Sequence, residues 1–181
     1  MKIELQPFTQ SDITRILEWI QTEDDLMCWS GPYFTFPLDV NQLMPYCESG
    51  YKEPPIRKIY KVIDSDLEKA IGHIELNNID LRNRAATVSK VLIAEPGYRG
   101  NGLCQIITDQ LLEIAFNQYG LHRVSLHVFD FNTPAIRCYE ACGFTIEGHV
   151  RDFRMIRDEF WSSYLMSILD SEWRTNHPEG N

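Results

Sequence analysis

The chain has 181 residues, a formal net charge of −9 and an apolar fraction of 44%. Such a length suits one domain around a single core, and we expect residues 1–181 to form it. No apolar run approaches the roughly 20 residues that cross a bilayer, and the first residues lack the pattern of an export signal. Basic residues form no long run, which disfavours a nucleic-acid partner. Composition therefore predicts a cytoplasmic globular protein without a membrane or nucleic-acid partner.

The cysteines indicate free thiols rather than disulfides. Their number, five, is odd, and no Cys-x-x-Cys pair occurs among them. Both facts favour a reducing compartment, and neither fits a zinc site. We therefore expect free thiols, and no bound metal, at these positions: Cys28, Cys47, Cys104, Cys138 and Cys142.

The apolar periodicity predicts strands early in the chain and alternating helices and strands later. Lys2–Pro7 alternates like a first strand, and Thr9 can cap a helix whose apolar face begins at Ile13. An aromatic-rich loop follows. The remaining predicted elements are a helix at 39–46, strands at 58–63, 70–76 and 86–94, a helix at 103–119, a strand near 124–128, a helix at 132–142 and a hairpin of 144–155 with 160–169. This order predicts an α+β or α/β fold with a mixed sheet.

A glycine-rich turn joins an apolar strand to a helix near the middle of the chain. Glycines let the backbone approach a ligand closely, and the first amides of a helix have no partner within the helix. The positive end of the helix dipole adds to these amides, so the turn predicts a cradle for a pyrophosphate. The residues expected to bind it are Arg99, Gly100, Asn101, Gly102, Leu103 and Cys104.

The spacing within this turn separates three kinds of phosphate site. A P-loop would need a Lys-Ser or Lys-Thr pair, and a dinucleotide motif would need a glycine where Gln105 stands. The remaining pattern, Arg99-x-x-Gly102-x-Cys104, resembles the Arg/Gln-x-x-Gly-x-Gly/Ala motif of the GCN5-related N-acetyltransferase (GNAT) superfamily. Cys104 departs from that motif, although it is small enough to fit.

A second segment strengthens the resemblance. Asn132, Ala135, Tyr139-Glu140 and Gly143-Phe144 resemble the family's Asn-x-x-Ala-x-x-x-Tyr-Glu-x-x-Gly-Phe motif. The two motifs cover roughly residues 86–144, and similar flanking segments extend the resemblance over nearly the whole chain. It implies a sheet of about six or seven mostly antiparallel strands, splayed at its centre, with helices on both faces.

The resemblance also implies an activity and a cosubstrate. Members of the family move an acetyl group from acetyl-CoA to a primary amine by direct attack, without a metal. A non-catalytic acyl-CoA sensor on the same fold is the alternative. Tyr139 favours the enzyme, because in the family this tyrosine often donates a proton to the departing sulfur, a task that suits a phenol.

The family pattern assigns further contacts to the cosubstrate. A bulge in the strand before the cradle leaves backbone groups free for the amide-rich arm of CoA, which can bind as an added strand would. Leu92, Ile93 and Ala94 occupy this position. Asn132 is expected to contact the cosubstrate as well, although its role as a helix cap would also explain it.

The general base is open at this stage. Several relatives use a glutamate on the strand before Asn132, and His127 stands at that position. A neutral imidazole can accept a proton near pH 7. The competitors are His73, Glu75 and Glu95, and an amine that loses its proton to bulk water would need no base.

The acceptor is open too. The aromatic segment that contains Trp29 and Tyr33 resembles the ribosomal-protein and polyamine acetyltransferase branch. With Asp24 and Asp25, these rings could attract a cation, and Glu75 is expected to face the acceptor. Protein N-termini, polyamines, amino acids and aminoglycosides all fit the sequence. Relatives often form homodimers, so a homodimer is an expectation by analogy.

Overall fold

A seven-stranded mixed sheet forms the centre of the fold in this computed structural model, which describes residues 2–177. The strands are β1 (Ile3–Pro7), β2 (Arg57–Asp64), β3 (Lys69–Asp80), β4 (Ala85–Ile93), β5 (Arg123–Phe129), β6 (Thr145–Ile156) and β7 (Glu159–Leu169). Their spatial order is β1-β2-β3-β4-β5-β7-β6. Only the β4–β5 pair is parallel among these neighbours. The predicted α+β fold with a mixed sheet is confirmed.

Six α-helices accompany the sheet within the described residues. They are α1 (Ile13–Trp19), α2 (Glu23–Ser30), α3 (Val40–Ser49), α4 (Leu103–Glu113), α5 (Thr133–Ala141) and α6 (Asp170–Asn176). The prediction that Trp29 lies in a loop was wrong, because Trp29 belongs to α2. This helix begins at Glu23 with a capping box, in which Thr22 and Asp25 accept hydrogen bonds from each other's backbone amides. No helix within residues 2–177 is long and apolar enough to cross a membrane.

Both faces of the sheet are covered. Ile59 and Val62 of β2 point to opposite faces and belong to two different buried clusters. Ile59 packs with α1, α2 and α3, whereas Val62 belongs to the cluster that contains residues of α4, α5 and α6. Since β3 lies between the two layers, it is buried from Ala70 to Leu76.

The sheet splits between β4 and β5. Their ladder holds only from Ala85 to Thr87 on β4, opposite Arg123 to Ser125 on β5. Both strands continue past it, β4 to Ile93 and β5 to Phe129. The parallel pair therefore diverges, and one edge of the later part of β4 has no strand beside it.

On its other edge, β4 carries a bulge opposite β3. His73 pairs with Leu92 and Glu75 pairs with Ser89, so two residues of β4, Lys90 and Val91, face the single residue Ile74. Next to this bulge the strands approach closely, because a Cβ built on Gly72 would lie 2.4 Å from the Leu92 carbonyl oxygen.

A disulfide joins α4 to α5 and corrects the expectation of five free thiols. Cys104 and Cys138 are bonded, with 6.2 Å between their Cα atoms. Cys28, Cys47 and Cys142 are free. The pair lies 34 residues apart in the sequence, so only the folded packing of α4 against α5 brings these two cysteines together.

We expect Gly72→Ala to lower the free energy of unfolding by about 2 kcal/mol, since the new methyl group meets rigid backbone rather than a flexible side chain. Gly148→Ala is the matched control, because a Cβ at Gly148 in β6 would meet nothing within 4 Å; its effect should stay within about 0.5 kcal/mol. Urea denaturation measures both variants. Equal stability of the two would contradict the close approach at Gly72.

Alkylation of the unfolded, unreduced protein is expected to label three cysteines, and labelling after reduction should reach five. Replacing both bonded cysteines by serine should lower the free energy of unfolding by about 3 to 4 kcal/mol, as expected for a loop of this size. Cys28→Ser, at an exposed free thiol, serves as the control. Five labelled cysteines before reduction would refute the bond.

Candidate active site

The gap between β4 and β5 opens into a cleft of about 1160 Å³. One wall is β4, and the other comes from β5, α5 and the first turn of α4, while α2 closes one end. Most of the residues predicted to bind ligands or to catalyse the reaction line this cleft: Trp29, Tyr33, Leu92, Ile93, Ala94, Arg99, Gly100, Gly102, Leu103, Cys104, His127, Asn132 and Tyr139. Two predicted residues, Glu75 and Asn101, do not line it.

The glycine turn brings an open helix end to the cleft. Gly100 and Gly102 have φ angles of 77° and 75°, a left-handed conformation that glycine adopts without strain. Gly102 precedes the first residue of α4, and no side chain caps that turn. The first amides of α4 are thus available to an anion, in the geometry that suits a phosphate.

Two polar side chains hold the turn in shape. Arg99 folds back, and its Nε donates a hydrogen bond of 3.0 Å to the carbonyl of Ile93. Asn101 donates through Nδ2 to the carbonyl of Gly97, at 3.1 Å. Arg99 Nη2 also donates to the Ala94 carbonyl at 3.4 Å, and the Arg99 side chain remains exposed at the edge of the cleft.

The bulge in β4 is fixed from behind by two rings. The Lys90 carbonyl accepts hydrogen bonds from Trp29 Nε1 at 3.0 Å and from His73 Nδ1 at 2.8 Å. A carbonyl can only accept, so His73 carries its proton on Nδ1. Lys90 itself has a φ of 49°, an uncommon conformation for a lysine, which these contacts help to maintain.

A buried polar network lies behind this wall. The Glu75 carboxylate accepts from the Tyr46 hydroxyl, from Ser89 Oγ at 2.9 Å and from Lys90 Nζ at 3.3 Å. Glu75 is fully buried. Because its oxygens already have these partners and it does not reach the cleft, Glu75 does not face the acceptor as the sequence suggested.

His73 belongs to the same network. Its Nε2 lies 3.2 Å from the Tyr46 hydroxyl, and the ring is completely buried. Burial lowers the pKa of His73 to about 4, although the hydrogen bond to Lys90 acts in the opposite direction. His73 is therefore neutral at pH 7 and serves to fix the bulge.

Tyr139 reaches the opposite wall from α5. The residue is buried apart from its contribution to the cleft, and within residues 2–177 its hydroxyl has no hydrogen-bond partner. Burial raises the pKa of the phenol, with a smaller contribution from Cys142. Tyr139 thus presents a protonated hydroxyl that a ligand can engage. Asn132 caps α5 by accepting from the Ala135 amide at 3.4 Å.

His127 lines the cleft from β5. Its ring stacks on Phe153 with centroids 4.5 Å apart, and Nδ1 lies 3.2 Å from Ser163 Oγ. Burial lowers the pKa of His127, and the neighbouring Arg154 lowers it further. The ring is accordingly neutral near pH 7, so Nε2 can accept a proton when Nδ1 donates to Ser163.

The other acidic candidates already have partners. Asp24 pairs with Arg157 at 2.7 Å, and Asp25 accepts from Thr22 as part of the α2 cap. Glu95 pairs with Lys69 at 2.9 Å. The predicted acidic wall is therefore not formed by free carboxylates.

The aromatic candidates pack against each other. Trp29 stacks on Phe34 with centroids 5.7 Å apart, and Tyr33 meets Phe34 edge to face. The Tyr33 hydroxyl accepts from Arg57 at 3.0 Å. These rings form a packed wall that still borders the cleft through Trp29 and Tyr33.

Sequence reasoning missed the cations of this region. Lys90 and Arg154 line the cleft, and Arg57 lies behind it. Lys90 gave a usable signal, since it is the one charged residue of β4. Arg154 gave none, because a charged residue on a terminal hairpin is common on protein surfaces.

Comparisons with known proteins agree with this architecture. The acetyltransferase (GNAT) family profile matches residues 16–144. A spermidine N(1)-acetyltransferase of Vibrio cholerae serotype O1 is 30% identical over 112 residues, which span 62% of this chain and 64% of that protein. The spermidine N(1)-acetyltransferase of Escherichia coli K12 is 28% identical over 176 residues, or 97% of this chain and 90% of that protein.

A solved structure shares the fold. The spermidine N-acetyltransferase from Vibrio cholerae in complex with CoA and spermine superposes with a TM-score of 0.82 and covers 94% of this chain and 97% of that one, at 23% identity. Together with the profile match, the splayed sheet and the open α4 terminus lead to one conclusion. The chain belongs to the GNAT acetyltransferase family, and it transfers an acetyl group from acetyl-CoA to an amine.

Proposed function

We propose that the cleft between β4 and β5 is the site of this transfer. The observation that carries the proposal is the meeting of three features in one cleft: an unpaired edge of β4, the open N-terminus of α4 and the Tyr139 hydroxyl. The α4 amides with Arg99 would hold the pyrophosphate of acetyl-CoA. Leu92, Ile93 and Ala94 would hold its amide-rich arm along β4.

The chemistry defines what the side chains must do. Acetyl-CoA supplies a thioester, whose carbonyl carbon the amine nitrogen attacks. A C–N bond forms, the C–S bond breaks, one proton leaves the nitrogen and one reaches the sulfur. The protein therefore needs a proton donor beside the sulfur and a proton acceptor beside the amine.

Tyr139 is our candidate for the donor. Its raised pKa keeps the phenol protonated across the neutral range. With no partner for its hydroxyl within residues 2–177, Tyr139 need not break a hydrogen bond before it donates. Asn132, which caps the helix carrying Tyr139, supports that position from the edge of the cleft.

His127 is our candidate for the acceptor of the amine proton. Its lowered pKa leaves the imidazole neutral at pH 7. Glu75 and Glu95 are weaker candidates, because the first is buried among its own partners and the second is paired with Lys69. His127 also lines the cleft on the same side of the split as Tyr139.

We further propose a small-molecule primary amine as the acceptor, bordered by Trp29 and Tyr33. The names of both relatives reported above point to the same class, since each is a spermidine acetyltransferase. A cytoplasmic location and a homodimer stay predictions.

Tyr139→Phe is expected to lower kcat by about 100-fold or more, in line with the usual contribution of acid–base catalysis. The dissociation constant for CoA should change little, because the variant removes only one oxygen. Thiol release from acetyl-CoA with a saturating amine measures the first quantity, and calorimetric titration of CoA measures the second.

Tyr119→Phe, at a tyrosine outside the cleft, is the matched control and should keep the activity of the original chain. An unchanged kcat in Tyr139→Phe would rule out Tyr139 as the proton donor. A large loss of CoA affinity would instead assign Tyr139 to binding.

A further inference from the structure

The charge of the cleft is opposite to the charge of the chain. The whole sequence carries 26 acidic and 17 basic residues. Among the described residues that line the cleft, the cations are Lys90, Arg99, Arg137 and Arg154, whereas the acidic group is Asp25 alone. The Asp25 carboxylate is used to cap α2 through Thr22. Because Lys90 is paired with the buried Glu75, the positive charge that a ligand meets in this cleft comes from Arg99, Arg137 and Arg154.

Two of these cations suit the phosphates of CoA. Arg99 belongs to the glycine turn, and Arg137 precedes Cys138, which is bonded to Cys104 in the first turn of α4. Both residues are thus near the open helix end. Lys90 and Arg154 belong to other elements, the bulge of β4 and strand β6, so the phosphates do not account for them.

The Lys90 ammonium lies between an aromatic ring and a carboxylate, the two groups that attract an ammonium ligand. Its Nζ lies 4.3 Å from the centroid of the Tyr33 ring and 3.3 Å from a Glu75 oxygen. The Arg57 guanidinium lies 5.0 Å from the same Tyr33 ring and has no carboxylate in ion-pair range within residues 2–177. Lys90 and Arg57 therefore already occupy the Tyr33 ring, and Lys90 occupies the Glu75 carboxylate, so neither group is available to an ammonium ligand.

The balance of charge behind this wall is positive. The Lys90 ammonium is paired with Glu75, whereas Arg57 has no carboxylate in ion-pair range within residues 2–177. Burial lowers the pKa of the Lys90 amine, while Glu75 acts to raise it. A polyamine that entered the cleft would be repelled by this positive charge. Such repulsion contributes to specificity, because it lowers the affinity for the disfavoured ligand.

Arg154 offers the complementary feature, a cation with no acidic partner. Its guanidinium lies 3.8 Å from the centroid of the Phe153 ring, which in turn stacks on His127. Within the described part of the chain, no carboxylate lies in ion-pair range of Arg154. One of its nitrogens donates to the Phe153 carbonyl at 3.0 Å. The other N–H groups are available to a ligand carboxylate beside the proposed base.

We infer that the acceptor is an amine that also carries a carboxylate, as an amino acid does, and that Arg154 binds this carboxylate while Lys90 and Arg57 disfavour polyamines. The inference rests on the proposed function, because it names the acceptor class for the same cleft. It departs from the named relatives, whose acceptor is spermidine.

Matched acceptor pairs test the inference directly. Lysine against cadaverine, ornithine against putrescine, and phenylalanine against phenethylamine each differ by one carboxylate. We expect kcat/KM to be at least tenfold higher for the amino acid of at least one pair, as measured by thiol release from acetyl-CoA, and no diamine to exceed the best amino acid.

Arg154→Gln should lower kcat/KM for the preferred amino acid by about 10- to 100-fold, the range expected for a charge-assisted hydrogen bond. The same variant should change kcat/KM for the matched amine less than threefold. Arg154→Lys should recover part of the loss, because it keeps the charge without the fork. Arg151→Gln, at an exposed residue of the same strand outside the cleft, is the control and should behave like the original chain.

A higher kcat/KM for the diamines than for every amino acid would overturn the inference and leave the proposed function intact. Equal losses for both members of a pair in Arg154→Gln would also overturn it, since Arg154 would then not recognise the carboxylate. Thiol release with none of the amines, despite CoA binding, would overturn both the inference and the proposed function.

Discussion

The carbonyl of Lys90 is the point on which the site depends. It accepts from Trp29 on one helix and from His73 on the neighbouring strand, and together these bonds hold a left-handed lysine in the middle of β4. The β4–β5 ladder ends at Thr87, three residues before Lys90, and the two strands part there. The later part of β4 therefore carries the bulge on one edge and has no strand along its other edge.

The same bulge sets the electrostatics of the cleft. The bulge turns Lys90 inward, so that its ammonium pairs with the buried Glu75 and lies over the Tyr33 ring. A single backbone irregularity thus lies beside the open edge of β4 and places a buried cation behind it.

The predictable parts of the molecule are those encoded locally. Gly100, Gly102 and the following helix lie within one short segment, so their spacing alone predicted a turn that opens a helix. The cap of α2 is equally local, since Thr22 and Asp25 are three residues apart. The loop predicted from the aromatic residues around Trp29 nevertheless left this helix out. The Cys104–Cys138 bond and the Glu75–Lys90 pair depend on how α4 meets α5 and on strand register, which no local pattern specifies.

The disulfide has a consequence for motion at the site. Cys104 lies in the first turn of α4, and Cys138 lies next to Tyr139 on α5, in the same wall of the cleft. Because the disulfide joins α4 to α5 here, neither helix can move away from the cleft locally unless the other moves with it. The α4 and α5 parts of this wall therefore form one cooperative unit, whereas β4 and α2 carry no such covalent link to them.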